Sequence, residues 1–149
     1  MVEIGTFMGL SACFLASSIK GTLYTINVSA SEMKIAQKTV SDFGLTNVKF
    51  IVGDSLEALP ELVQNIPNLE AAYIDGYHSY RYSMGEYQII EPLVGNKKSA
   101  IFIDDAHKPH PDGEQDGGIL RTVDEPGSKR IPILGNRIAV KTFGDFALL

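Results

Sequence analysis

Val2-Glu3-Ile4-Gly5-Thr6-Phe7-Met8-Gly9 decides how this chain reads. An apolar run carrying one acid ends on a glycine, a second glycine follows, and a helical stretch runs from about Gly9 to Ser18. Glycines at 5 and 9 let the backbone turn tightly and approach a bulky ligand without a Cβ clash. The helix after them would aim its N-terminus at that ligand. The spacing is acid-x-Gly-x-x-x-Gly. It differs from the Gly-x-Gly-x-x-Gly pattern that cradles a dinucleotide pyrophosphate.

Outward from this loop, strand and helix periods alternate. Short apolar strands are expected at Val2–Gly5, Thr22–Asn27, Val48–Val52, Ala71–Asp75 and Ala100–Asp104. Met33, Ala36, Val40 and Phe43 form one face of a helix that begins after Ser29 or Ser31 as N-cap. Gly44 closes that helix. Leu56, Leu59 and Leu62 mark a short third helix. A fourth runs from about Ser79 to Val94, with Tyr80, Met84, Tyr87 and Val94 inward. Such alternation implies a parallel sheet with right-handed crossovers. The end differs: Arg130–Leu134 and Arg137–Thr142 are β runs separated by Gly135-Asn136, the residues of a type I′ hairpin turn. The fold class is therefore α/β, a doubly wound, mostly parallel sheet finished by an antiparallel hairpin.

Composition narrows the function classes. With 149 residues the chain reads as a single domain over 1–149, large enough for a real core. Its 44% hydrophobic and 21% charged residues are ordinary for a water-soluble protein. A net charge of −5 argues against a surface that coats nucleic acid. No apolar run approaches the ~20 residues that span a bilayer. No basic segment followed by a separate apolar stretch reads as a signal peptide, so a cytoplasmic location is expected. The one cysteine, Cys13, sits among apolar residues of the first helix and reads as a buried structural thiol.

Four segments, in order, carry a family resemblance: Glu3-Ile4-Gly5-Thr6-Phe7-Met8-Gly9, Leu23-Tyr24-Thr25-Ile26-Asn27, Gly53-Asp54-Ser55-Leu56-Glu57-Ala58-Leu59-Pro60, and Ile74-Asp75-Gly76-Tyr77-His78-Ser79-Tyr80 with Ile103-Asp104-Asp105. Together they resemble the core of a class I S-adenosylmethionine-dependent methyltransferase of Rossmann-like fold. More narrowly, the chain is similar to the metal-dependent small-molecule O-methyltransferases, which include the catechol and caffeoyl-CoA enzymes. That family carries helices before its first strand. The resemblance thus implies that these N-terminal helices are missing, and that the apolar surface they would cover favours a homodimer.

The resemblance implies that Glu3, Gly5, Thr6, Phe7 and Gly9 form the loop that holds the methionine and ribose of S-adenosylmethionine. Glu3 would position backbone or the methionine amino group. In a doubly wound sheet the ligand lies beyond the carboxyl ends of the strands, where strand order reverses. The second strand usually ends there on a carboxylate for the ribose hydroxyls. Here the residue is Asn27, which lacks the charge and the second acceptor, so weaker ribose holding, by ~1 kcal/mol, is expected. Asp54 and Ser55 fit the adenine edge, and also read as an N-cap pair for the third helix.

Asp75, Asp104 and Asp105 end strands four and five. Neighbouring strands lie about 4.8 Å apart, so these acids can share one cation, and the resemblance makes them metal ligands. Consecutive strand residues face opposite ways, so Asp104 and Asp105 both ligate only where the chain leaves the strand. Mg2+ is the default, with Mn2+ or Ca2+ open. An unmetallated acidic loop end is the plain alternative. His78 follows Asp75 by three residues, where the catechol-type enzymes carry a basic lysine. It reads as a general base, with Asp75 beside it, as a substrate contact, or as a structural cap. Tyr77, Tyr80 and Arg81 are candidates for the acceptor pocket, although Tyr80 fits the core better. His107 and His110, set among prolines, read as an exposed loop rather than as ligands.

The expected function is S-adenosylmethionine-dependent, metal-assisted methylation of a small hydroxylated acceptor. The alternative is a truncated or degenerate domain that binds S-adenosylmethionine or S-adenosylhomocysteine without turnover. A nicotinamide oxidoreductase is disfavoured by the glycine spacing and by Asn27. A nucleic-acid methyltransferase is disfavoured because no Asn/Asp-Pro-Pro-aromatic motif follows strand four.

Overall fold

Strand and helix alternate along the first two thirds of the chain: β1 (Val2–Ile4), α1 (Leu10–Ser18), β2 (Leu23–Asn27), α2 (Ala30–Asp42), β3 (Val48–Val52), α3 (Ser55–Gln64), β4 (Ala71–Ile74), α4 (Tyr80–Val94) and β5 (Ser99–Ile103). Then come β6 (Lys129–Arg130) and β7 (Ala139–Phe143). The structure, a computed structural model, describes residues 1–66, 68–94, 98–106, 119, 121, 129–130 and 138–143. Within them the strands form one sheet in the order β3-β2-β1-β4-β5-β7-β6. The five strands from β3 to β5 run parallel, while β7 is antiparallel to both its neighbours. This is the doubly wound α/β sheet with an antiparallel end that the periodicity predicts.

Strand order reverses between β1 and β4, which pair Ile4 with Ile74 at their carboxyl ends. Their following loops leave in opposite directions and open a crevice there. Two apolar clusters build the core. One joins Ala12, Cys13 and Ala16 of α1 to Val40 of α2 and Leu23 of β2. The other joins Ile26 of β2 to Leu59 of α3, Tyr87 and Ile90 of α4, and Ile74 and Ile101 of the central strands. Leu23 and Ile26, three apart on one strand, face opposite sides, so the helix pairs α1/α2 and α3/α4 cover the two faces. Cys13 is buried, as its apolar setting predicts.

Local signals explain the helix ends. The Ser29 hydroxyl accepts from Glu32 N–H and caps α2, which settles the choice between Ser29 and Ser31. At the other end Gly44, at φ 71°, follows Phe43, and the bonds Gly44 N–H to Ser41 O and Leu45 N–H to Val40 O form a Schellman closure. Phe43, expected on the inner face, is instead the C-cap and is exposed, because the helix ends before it.

The C-terminal register also departs from expectation. A two-residue turn at Gly135-Asn136 would set Arg130 opposite Lys141, but Arg130 pairs with Ala139. The turn residues themselves, like most of the Arg130–Leu134 run, lie outside the described residues. No described helix is long and apolar enough to cross a membrane.

Candidate functional site

A pocket of about 500 Å3 opens at the crevice. Its walls are Gly5 and Phe7 after β1, Asn27 and Val28 at the end of β2, and Gly53, Asp54 and Ser55 at the start of α3. Asp75, Gly76 and Tyr77 after β4, with Tyr82 of α4, complete it. Phe7, Val28 and Tyr77 are exposed at its rim, so part of the wall is apolar surface open to solvent.

The glycine loop answers to the protein as much as to a ligand. Gly5 stands at φ 94°, and a Cβ there would lie 1.9 Å from the Asp75 carbonyl oxygen. The missing side chain lets the β1 and β4 ends close on each other, as the bond Asp75 N–H to Ile4 O also shows, while Gly5 N–H to Ile26 O ties the β1 end to β2. A Cβ on Gly9 would meet Ala36 Cα at 2.8 Å, so Gly9 lets the start of α1 sit on α2 and does not line the pocket. Thr6 turns inward as well. Its hydroxyl lies 2.5 Å from that of Thr25, which donates to Glu3 Oε2 at 2.6 Å. Glu3 and Thr6 are therefore buried beneath the loop rather than on the pocket wall, and burial pushes the Glu3 carboxyl up against the opposing pull of the Thr25 hydroxyl.

The other predicted cofactor residues reach the pocket. The Asn27 amide Nδ2 donates to Glu32 Oε2 at 2.9 Å, which leaves Oδ1 as its acceptor. Asp54 caps α3 by accepting from Leu56 N–H at 2.8 Å, and its second oxygen accepts from the Tyr82 hydroxyl at 2.5 Å. That bond, ahead of burial, raises the Tyr82 phenol. Capping and pocket lining thus coexist at Asp54. The Ser55 hydroxyl donates to Glu86 Oε1 at 2.5 Å. Tyr82 also packs edge-on against Tyr77, with ring centres 5.4 Å apart.

Beyond the pocket, Asp104 N–H donates to Ile74 O, holding the β5 end beside β4. Asp105 adopts φ 50°, which marks the point where the chain leaves the strand. His78 Nε2 lies 3.7 Å from Asp105 Oδ2. Asp104 and Asp105 are buried, while Asp75 lines the pocket. Among the described residues no three His, Cys, Asp or Glu side chains converge to hold a cation. The expected triad of Asp75, Asp104 and Asp105 is thus not assembled as a ligand set, and Asp105 is turned toward His78. His107 and His110 lie outside the described residues. Tyr80 packs on the main core, with the Arg121 guanidinium 3.8 Å over its ring, and Arg81 is exposed away from the pocket wall.

Three site residues escape a reading of the sequence: Glu32, Tyr82 and Glu86. The Ser29-x-x-Glu32 spacing is a capping-box signature and singles out Glu32, although its carboxylate goes to Asn27. Glu86 falls on the inward face of α4 between Ser83 and Ile90, an acid in an apolar register. Tyr82 carries no such signal.

A profile of the family described as Methyltransferase domain matches residues 2–106. A protein-L-isoaspartate O-methyltransferase of Thermosipho melanesiensis is 38% identical over 63 residues, 41% of this chain and 32% of that enzyme. The match thus spans about a third of that relative's length. Among solved structures, the O-methyltransferase TomG of Streptomyces achromogenes, crystallised with S-adenosylmethionine, superposes with a TM-score of 0.74 at 21% identity, covering 96% of this chain and 72% of TomG. A Bacillus cereus O-methyltransferase in complex with S-adenosylhomocysteine gives 0.75 at 18% identity, covering 95% and 72%. At these identities the likeness is one of fold.

Proposed function

The chain belongs to the methyltransferase-domain family, and on that premise we propose that it methylates a hydroxyl oxygen of a small molecule with S-adenosylmethionine. The observation that carries this reading is the pocket at the strand-order reversal, with an amide acceptor at Asn27 on one side and the Asp54 carboxylate on the other. Its volume of about 500 Å3 is in the range of small-ligand and cofactor pockets. Asn27 Oδ1 would accept from a ribose hydroxyl, and Asp54 with Ser55 would meet the adenine edge. Gly5, Phe7 and Asp75 would border the methionine end. Glu3, Thr6 and Gly9 would hold the loop's shape from beneath.

When bound, the sulfonium supplies an electrophilic methyl group: the acceptor oxygen forms the new C–O bond while the C–S bond breaks and sulfur keeps the electron pair. The protein must align the two reactants and remove the acceptor's proton. His78 is the base in this reading. Its imidazole takes the proton, and the Asp105 carboxylate at 3.7 Å stabilises the cation that forms. A divalent ion would have to be held by Asp75, Asp104 and Asp105. Among the described residues these three do not converge as a ligand set.

Calorimetry with S-adenosylhomocysteine, run with Mg2+ and again with a chelator, tests the pocket. Methyl transfer to a panel of phenols, sugars and hydroxy acids then tests the chemistry. No heat of binding at millimolar ligand would overturn the reading. Binding with no turnover on any acceptor class would favour the alternative, a domain that holds the cofactor without using it.

A further inference from the structure

Glu86 has no place in the chemistry above, yet it is 1% exposed and touches the pocket wall from behind. Its Oε1 meets the Ser55 hydroxyl at 2.5 Å, and its Oε2 is buried with no hydrogen-bond partner among the described residues. The groups around it are few. Asp54, at the α3 N-cap, is the charged side chain bearing on it, and it is negative; the Tyr82 phenol, which donates to Asp54, is the other titratable group that feels Glu86. The loop after β4 presents Gly76, which has no side chain, and β1 presents the apolar Ile4 behind that glycine. Further along, α3 meets α4 through Leu56 against Gly85. Neither burial nor Asp54 favours a carboxylate, and together they lift the Glu86 carboxyl to about 8 against the pull of the Ser55 hydroxyl.

We propose that Glu86 is a positioning residue whose carboxyl proton makes the Ser55 hydroxyl a hydrogen-bond donor toward the pocket, so that Asp54 and Ser55 together read a purine edge bearing one donor and one acceptor. The inference rests on the cofactor reading above and names what sets its base selectivity. A neutral acid has one proton to place, and Oε1, facing Ser55 Oγ, is where that proton finds a partner. In the protonated acid the bond that Ser55 donates to Oε1 is reversed: Ser55 Oγ accepts from Glu86, and its own hydrogen turns to the pocket it lines. Asp54 accepts and Ser55 donates, which matches the amino group and ring nitrogen of adenine. A 6-oxopurine offers the reverse pattern. Once Glu86 ionises it reclaims the Ser55 hydrogen, both wall groups become acceptors, and the discrimination is lost.

The test measures binding of S-adenosylhomocysteine and S-inosylhomocysteine from about pH 6.5 to about pH 8.5 by calorimetry, below the pH at which the N1–H of the 6-oxopurine itself ionises. The wild-type preference for the adenine compound should fall severalfold as pH rises through the Glu86 transition. Glu86→Gln, whose amide N–H donates to Ser55 Oγ at every pH, should keep the preference flat across the range. Ser55→Ala should lower the preference and also flatten it, which keeps the idea testable if the Glu86 variant folds poorly. A preference that does not change with pH in the wild type, or one that falls equally in Glu86→Gln, overturns the role of Glu86 while leaving the cofactor reading intact. Binding of neither compound at any pH overturns both.

Discussion

Gly5 is where sequence and site meet most tightly, because its hydrogen stands where a methyl would lie 1.9 Å from a backbone carbonyl. The carbonyl of Asp75 cannot retreat without pulling β4 from β1, so Gly5→Ala should destabilise by more than the ~1–3 kcal/mol of positive-φ strain alone, and should abolish S-adenosylhomocysteine binding. Gly44 supplies the control. It has the same handedness, at φ 71°, with nothing within 4 Å of its would-be Cβ. Gly44→Ala should therefore cost only ~1–2 kcal/mol in urea unfolding and leave ligand affinity unchanged. Equal effects of the two changes would mean that the close approach at Asp75 is not what the glycine provides. His78 invites a different measurement. If its imidazole takes the acceptor's proton, His78→Ala should lower kcat by roughly 10²- to 10⁴-fold with little change in cofactor affinity, and a chelator should not reproduce that loss. An unchanged kcat would remove His78 from the chemistry.

Among the elements, the start of α2 separates capping from ligand positioning. Ser29 caps the helix, whereas Glu32 reaches back to hold the Asn27 amide at the end of β2. Ser29→Ala should cost ~1 kcal/mol of stability and spare the pocket. Glu32→Ala leaves the Ser29 cap in place and releases Asn27, and should weaken S-adenosylhomocysteine roughly fivefold, the equivalent of ~1 kcal/mol for one hydrogen bond. Matching losses of affinity in the two variants would show that Asn27 is oriented by the helix as a whole. Elements of this kind were largely legible in the sequence, because Met33, Ala36 and Val40 keep a 3.6-residue period and are all buried. Phe43 continued the period but not the helix, since Gly44 closes the turn one residue beyond it. The β6–β7 register was not legible. The Gly135-Asn136 turn residues propose a register, but the pairing of β7 with β5, Ile103 opposite Ala139, binds that strand to the sheet independently of any turn.

For the molecule as a whole, what the sequence could not show is which acids the fold pushes above the ordinary carboxyl range. Glu3 and Glu86 look like any other of the 18 acids, and their meaning comes from Thr25 and Ser55, each more than twenty residues away along the chain. Both carboxyls titrate higher in the fold than in an unfolded chain, Glu86 rising from 4.5 to about 8 and Glu3 in the same direction. Between those values the folded protein holds protons that the unfolded chain has given up, so raising the pH favours unfolding. The Glu86 contribution is fully present below about pH 4.5 and is lost as pH climbs through about 8, and Glu3 acts in the same direction. A single such group yields a slope of up to about 1.4 kcal/mol per pH unit. Urea midpoints should therefore fall steadily from about pH 5.5 to about pH 8, the reverse of the rise produced by carboxylates held in ion pairs. Glu86→Gln should remove most of that slope, leaving the share that belongs to Glu3. A midpoint constant across the interval in the wild type would mean that water reaches Glu86 in solution and that the acid beneath Ser55 is ionised at neutral pH.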